Sequence, residues 1–278
     1  MHIGNELVIM LVLYRKDPER VIFMILALDI GNTNITIGVY EGKQLRFVSR
    51  MATDRARMED QYALELRDIL DIYGVRISDV EGSIISSVVP PLTTYIARAV
   101  TRLTGTKPLC VGSGTKTDLN ICLPNPESLG ADLIVGCVAA IEMYGCPCIV
   151  LDMGTATTLS VLDENKNMLG GCIIPGVGIS LDALTNRTAQ LPSISLEAPE
   201  RVIGNNTVDS MRSGVIFGTA SMIEGMCGRI EEELGTVCRV VATGGLAREF
   251  IEYCGREIIY CDTLLLEGLR ILYEKNCS

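Results

Sequence analysis

From Met24 onward the chain alternates short apolar runs with amphipathic stretches of helical spacing. "MILALDI" (24–30) predicts a strand and "GNTN" (31–34) a tight turn. "ITIGVYEG" (35–42) predicts a second strand with alternating faces, and "KQLRFVSRM" (43–51) a third. In "DQYALELRDILDIYGV" (60–75) apolar residues recur at helical spacing before a Gly stop. "SIISSVV" (83–89) reads as a buried strand ending in a Pro pair, "TTYIARAVTRLTG" (93–105) as a helix closed by Gly105, and "KPLCVG" (107–112) as a short strand. "GADLIVGCVAAIEMYG" (130–145) reads as an apolar helix. The first pattern then restarts, with strand "PCIVLDM" (147–153), turn "GTAT" (154–157) and strands "TLSVLDEN" (158–165) and "MLGGCIIPG" (168–176). Residues 206–235 form a long helical stretch. Residues 238–254 read as strand, Gly pair and helix, and 263–276 as a closing helix.

The restart is visible in two phrases, "LALDIGNTN" (26–34) and "IVLDMGTAT" (149–157). Each ends a strand on an Asp and then turns through a Gly flanked by small hydroxyl or amide residues. A doubled α/β architecture follows, with an N-terminal half at 24–145, a C-terminal half at 146–278, and the two hairpins facing each other across a cleft. In the first 23 residues, "LVIMLVLY" (7–14) is too short to span a membrane and lacks a basic flank before it. Residues 1–23 are expected to be a loosely ordered extension or the product of a start assigned upstream, and neither reading carries function.

Composition narrows the chemistry. The chain is 48% apolar and 21% charged, which suits a buried core and excludes disorder. A net charge of −10, with no basic tract, argues against nucleic acid and anionic membranes as partners. The single His, His2, excludes a histidine-based triad or His-rich metal site, so a general base must be a carboxylate, Lys, Tyr or Cys. The eleven Cys are scattered without zinc-site spacing and read as reduced, mostly buried thiols of a cytoplasmic protein.

A Gly-tipped turn lets backbone N–H groups approach an anion without an obstructing Cβ. The Thr33, Thr155 and Thr157 hydroxyls and the Asn32 and Asn34 amides add neutral donors, which suit a polyphosphate in an acidic protein. Asp29 and Asp152 beside such a phosphate would repel it unless a cation sat between. Two hairpins clasping one polyphosphate make a phosphoryl-transfer layout. A single Asp-x-Gly-x-Thr is equally an ordinary hairpin turn, since these are the usual turn residues. The second copy, and "VVATGGLAREF" with its Gly244–Gly245 pair between strand and helix, favour the ligand-binding reading.

The three pieces resemble the two phosphate motifs and the adenosine motif of the actin-like ATPase and sugar/acetate kinase superfamily. Within it the chain resembles the type III pantothenate kinases from Met24 to its end. The likeness runs through "ALDIGNTN", "ISSVVPPL", "PESLGAD", "VLDMGTATT", "GGCIIPGVGISLDALTNRTAQLP", "IGNNTVDSMRSG" and "ATGGLA". It implies two related ribonuclease H-like domains with mixed sheets flanking a nucleotide cleft. It also implies transfer of the ATP γ-phosphoryl group to the primary hydroxyl of pantothenate, the first step toward coenzyme A. By the same likeness Asp132 is the general base or hydroxyl-orienting carboxylate. Read alone, Asp132 is a helix-start carboxylate that suits the helix dipole. The resemblance places Asp29, Ile30, Gly31, Asn32, Thr33, Asn34, Ile35 and Thr36 along the ATP phosphates, with Asp29 close to Mg²⁺. Thr155, Gly244 and Gly245 become further ATP contacts, and Asp152 the site of a monovalent cation, K⁺ or NH₄⁺. Gly130, Ala131, Asp132 and Thr207 fall on the acceptor side. The family is homodimeric with its acceptor pocket at the subunit interface, and "GVIFGTASMIEGM" is read either as a helix of that interface or as a core helix.

The chain departs from the family pattern on the acceptor side, in two of the expected substrate positions. Leu133 stands where the family has Arg in "GADR", and Leu123 where it has a substrate-touching Tyr. Arg is the natural bidentate partner of a carboxylate such as that of pantothenate. The rival readings are therefore a kinase of this fold with another small alcohol as acceptor, and a non-catalytic ATP-binding or regulatory relative.

Overall fold

The computed structural model describes residues 24–277, so the expectations for residues 1–23 lie outside the described part. Two mixed sheets, each covered by helices, make up the protein, as the doubled pattern predicts. The first has five strands. The antiparallel meander β1 (Met24–Ile30), β2 (Asn34–Glu41) and β3 (Gln44–Ala52) continues through parallel β4 (Val80–Ser87) to the short β5 (Leu109–Cys110), in the order β3-β2-β1-β4-β5. The second sheet repeats this plan with β7 (Cys148–Met153), β8 (Ala156–Leu162) and β9 (Asn167–Pro175) as the meander, and β10 (Arg239–Thr243) and β11 (Ile259–Tyr260) parallel to β7. A two-residue strand, β6 (Asn120–Ile121), comes from the chain between the two meanders and pairs with the free edge of β9.

Alternation along the strands decides which helices cover which face. Leu26, Leu28, Ile37, Val39, Phe47 and Met51 point to one face, where α1 (Glu59–Ile72) and α2 (Pro90–Thr104) bury them with Tyr62, Leu66, Leu70, Leu92 and Ile96. Each such fully buried aliphatic side chain contributes about 1.5–3 kcal/mol. Ala27, Tyr40 and Ile84 point the other way, against α3 (Ala131–Tyr144) and α7 (Leu264–Cys277). The closing helix therefore packs on the first sheet, although it follows the second in sequence. Its Arg270 is buried and donates to Glu267 at 3.1 Å and Glu274 at 2.8 Å, while the Tyr40 hydroxyl of β2 donates to Glu267 at 3.0 Å. Gly268 allows the crossing with α3, because a Cβ there would lie 2.2 Å from the Val135 carbonyl oxygen.

The second sheet is covered by α5 (Thr207–Leu234) and α6 (Ala247–Ile251) around Ile216, Ile223, Cys227, Val240 and Phe250. Two local differences from the sequence expectation have simple causes. The strand expected over 83–89 ends at Ser87, and Pro90 and Pro91 open α2, where fixed φ and a missing N–H cost nothing. A helix not expected from the sequence, α4 (Val177–Arg187), follows β9. It buries only Val177 and leaves Ile179 and Leu184 exposed, so it lacks the one-sided apolar stripe that marks a helix. The eleven cysteines are free thiols, and only four of them, Cys137, Cys148, Cys227 and Cys238, are buried, fewer than the sequence reading expects.

Candidate active site

The two repeated phrases form matching corners at the ends of β1 and β7. In the first, the Gly31 N–H donates to the Asn34 carbonyl at 3.0 Å. In the second, the Gly154 N–H donates to the Ala156 carbonyl at 3.0 Å. The first corner is strapped by the end of β3. The Thr53 N–H donates to the Thr33 carbonyl at 2.9 Å, and the Thr53 hydroxyl to the Gly31 carbonyl at 2.7 Å. Arg55 adds a contact of 3.2 Å to the Asn32 side-chain oxygen. The second corner is hemmed in by glycine. A Cβ on Gly176 would lie 2.3 Å from the Thr155 carbonyl oxygen, and one on Gly244, at φ +97°, would lie 2.6 Å from the Met153 carbonyl. Any residue but Gly at 244 would push the adenosine-type segment off the second hairpin and strain its own backbone.

The corners face each other. Thr33 Oγ1 and Thr155 Oγ1 are hydrogen-bonded at 2.9 Å across the seam between the sheets. Behind them Asp29, Asp152 and Asp132 gather close enough to feel one another's charge. Burial, then Asp132, then Asp152 push the Asp29 carboxyl up to about 7, with Ser86 drawing it partly back. Ser86 pairs with Asp29 across β1 and β4, which sets its buried hydroxyl beside the carboxyl. Burial and Asp132 raise Asp152 to about 6. Burial also raises Asp132, opposed by the Leu133 backbone N–H, which donates to its Oδ1 at 2.8 Å.

Among the described residues, no Lys or Arg contributes to the shift of any of these three carboxyls. Carboxylates and Thr hydroxyls are hard oxygen donors of the kind Mg²⁺ and K⁺ take. Among the described residues no three acidic, thiol or imidazole groups converge closely enough to hold a metal unaided. A cation here would complete its shell with phosphate oxygens and water, the usual habit of Mg²⁺.

The remaining predicted residues divide by where their side chains point. Ile30 and Ile35 are buried in the core under α1 and α2, so they offer only backbone to the cleft. Asn32, Thr33 and Asn34 are exposed at the corner and Thr36 is half-buried on the face that carries Asp29. Gly245 has open space around it. Gly130 caps α3, placing Ala131 and Asp132 in its first turn. Leu133 instead packs half-buried against the apolar cluster of Cys137, Ala140 and Met168, and Leu123 lies beside Gly170 of β9.

Thr207, the first residue of α5, lines a different space. A cavity of about 820 Å³ lies between α4 and α5, walled by Ile174, Leu181, Leu184, Met211 and Val215. It meets the second hairpin at Thr157 and contains none of the three carboxylates. This cavity was illegible in the sequence because α4, one of its walls, was. The Thr53 strap and the Ser86 hydroxyl were also missed; only strand register brings them to the corner.

The family model for type III pantothenate kinase matches residues 25–229. The chain belongs to that family. A type III pantothenate kinase of Geobacillus sp. (strain WCH70) is 44% identical over 253 residues, covering 91% of this chain and 98% of the relative. Among solved structures, a Campylobacter jejuni protein assigned to the Baf family of transcriptional activators matches with a TM-score of 0.58 at 18% identity, over 91% of this chain and 98% of the other. Component A of (R)-2-hydroxyglutaryl-CoA dehydratase from Acidaminococcus fermentans matches with a TM-score of 0.54 at 16% identity, over 92% and 100%. At these identities the two structures speak for the fold alone. The type III pantothenate kinase match spans both hairpins and Asp132, but ends before the Gly244–Gly245 pair.

Proposed function

We infer that this chain transfers the γ-phosphoryl group of ATP to the primary hydroxyl of pantothenate, giving 4′-phosphopantothenate for coenzyme A biosynthesis. The observation that carries this reading, beside the family, is the meeting of the two hairpins at Thr33 and Thr155 with three carboxylates behind them. The N–H groups and hydroxyls of residues 31–36, with Thr155, cradle the phosphates, and Gly244–Gly245 admits the nucleoside. Asp29 would hold Mg²⁺, which when bound would offset the charge of the phosphates. Asp152 holds K⁺ or NH₄⁺ in the same reading. Asp132 orients the acceptor hydroxyl and takes its proton, a role that its raised pKa suits.

The acceptor enters through the cavity at Thr207. The apolar walls of α4 and α5 support a homodimer in which a second copy closes that cavity. Leu123 and Leu133 leave the acceptor side with less polar chemistry than the family pattern, which favours another small alcohol as the second reading. The halves divide at 145/146, with α7 returning to the first. Among the described residues no helix is long and apolar enough to cross a membrane, and we place the enzyme in the cytoplasm.

The test is purified full chain with ATP, Mg²⁺ and pantothenate, with and without K⁺, read by mass spectrometry. The expected result is ADP and phosphopantothenate, faster with K⁺. Turnover of another alcohol with none of pantothenate would replace the acceptor. Nucleotide binding without turnover of any alcohol would make the chain a regulatory relative.

A further inference from the structure

We propose that Arg50 is a nucleotide-phosphate-binding residue, contributed to the cleft by the first half of the chain from the side opposite the Gly244–Gly245 segment. The placement follows from strand register. Arg50 of β3 pairs with Thr36 of β2, Thr36 with Asp29 of β1, and Asp29 with Ser86 of β4. Residues directly opposite each other share a face, so Arg50, Thr36, Asp29 and Ser86 form one row across the sheet. The packing agrees: Val48, two residues earlier, lies on the α7 face, whereas Phe47 and Met51 lie on the other. Two strand spacings put Arg50 about 10 Å from Asp29. An extended arginine covers most of that distance.

Arg50 is exposed, and among the described residues it has no hydrogen-bond or ion-pair partner. Its charge reaches the other half of the protein. Together with Arg248 it acts on the Tyr260 hydroxyl at the end of β11, against Asp262. Arg248 lies in the first turn of α6, just after the glycine pair, and its guanidinium carbon lies 5.7 Å from the centre of the Tyr260 ring. A hollow of about 400 Å³ at Arg50 is lined by Val48, Ser49, Tyr73, Asp262 and Thr263 as well. The cleft thus has an acidic end at Asp29, Asp132 and Asp152, and an end where the positive charges of Arg50 and Arg248 both reach Tyr260, partly offset by Asp262.

That polarity fits a nucleotide laid along the row. The acidic end suits a terminal phosphate approached with a divalent cation. Phosphate oxygens farther along lie beyond that cation's reach and call for a fixed positive group. A guanidinium presents paired donors that match phosphate geometry, and an unpaired one gives up no existing ion pair to do so.

The inference rests on the kinase reading, and the experiment separates the two. Binding of ADP with Mg²⁺, and of adenosine as a phosphate-free comparison, is measured by calorimetry on the full chain. Arg50→Gln is expected to weaken ADP binding by about 10- to 100-fold, in line with charged hydrogen bonds, while adenosine binding and melting temperature stay near wild type. Arg50→Lys is expected to recover part of the loss and serves if the Gln variant does not fold. ADP binding by Arg50→Gln within twofold of wild type, or equal loss of ADP and adenosine, would overturn the proposal. So would a lowered melting temperature with unchanged ADP binding, the mark of a seam contact to Asp262. Wild-type protein that binds no ADP would overturn the kinase reading as well.

Discussion

Thr33 and Thr155 belong to different sheets and different halves of the chain, yet their hydroxyl oxygens lie 2.9 Å apart. A hydrogen bond across that seam holds both phosphate-type corners at one spacing. Thr33→Val, Thr155→Val and the double variant should therefore be non-additive in ATP affinity, with coupling of about 0.5–3 kcal/mol. Binding isotherms for the four proteins measure it, and strict additivity would mean the corners act independently. Both residues are solvent-accessible, so stability should change little, by about 0.5 kcal/mol.

Asp132 is half-buried in the first turn of α3 and shares its charge environment with Asp29 and Asp152. Asp132→Asn keeps the shape and removes the proposed proton acceptor. The expected result is ATP affinity near wild type and a kcat lower by about 100-fold or more. Near-wild-type turnover would remove Asp132 from the chemistry.

How much of this was legible in the sequence depends on how local each signal is. The corners at 31–34 and 154–157 could be read because Asp, Gly, Asn and Thr specify turns over a few residues. Pairing partners cannot be read that way. Nothing in "TLLLEGLRILYEKN" says that it returns to the first sheet, where Arg270 and Glu267 meet Tyr40. Nor does "NI" at Asn120–Ile121 show that it will extend β9. α4 escaped for a different reason, since its apolar residues face an open cavity and follow no core stripe. Nor does "FVSRM" show that Arg50 will lie level with Asp29, which strand register alone decides.

Raised carboxyls make a signed prediction for the ligand-free protein. Asp29 and Asp152 move from an ordinary 3.8 to about 7 and about 6. Between those limits the folded state holds protons that the unfolded chain has released, so stability falls as pH rises and levels off above about 7. The loss from pH 5.5 to 8 should be on the order of 2 kcal/mol. Melting curves with and without Asp29→Asn test it: the variant should lose most of the slope, and an equal slope in both would place the titration elsewhere.

Asp152→Ala should abolish stimulation by K⁺ while Mg²⁺ dependence remains. Initial rates across a K⁺ series decide it. An unchanged response would move the monovalent cation away from the β7 corner.

Leu133 packs half-buried at the start of α3, where a longer side chain can cover the same apolar surface and carry a charged tip outward. Leu133→Arg should lower the KM for pantothenate about 10-fold, the scale of one charged hydrogen bond to a carboxylate. A higher KM would show that the pocket is organised around leucine.

Hydrogen exchange on the full chain, with Mg²⁺ and a non-hydrolysable ATP analogue, tests most directly whether one nucleotide is gripped from both sides. Amides of residues 30–36 and 153–157 should slow together, by about tenfold or more, at the same analogue concentration. Protection confined to one corner, or appearing at two different concentrations, would contradict a shared phosphate site.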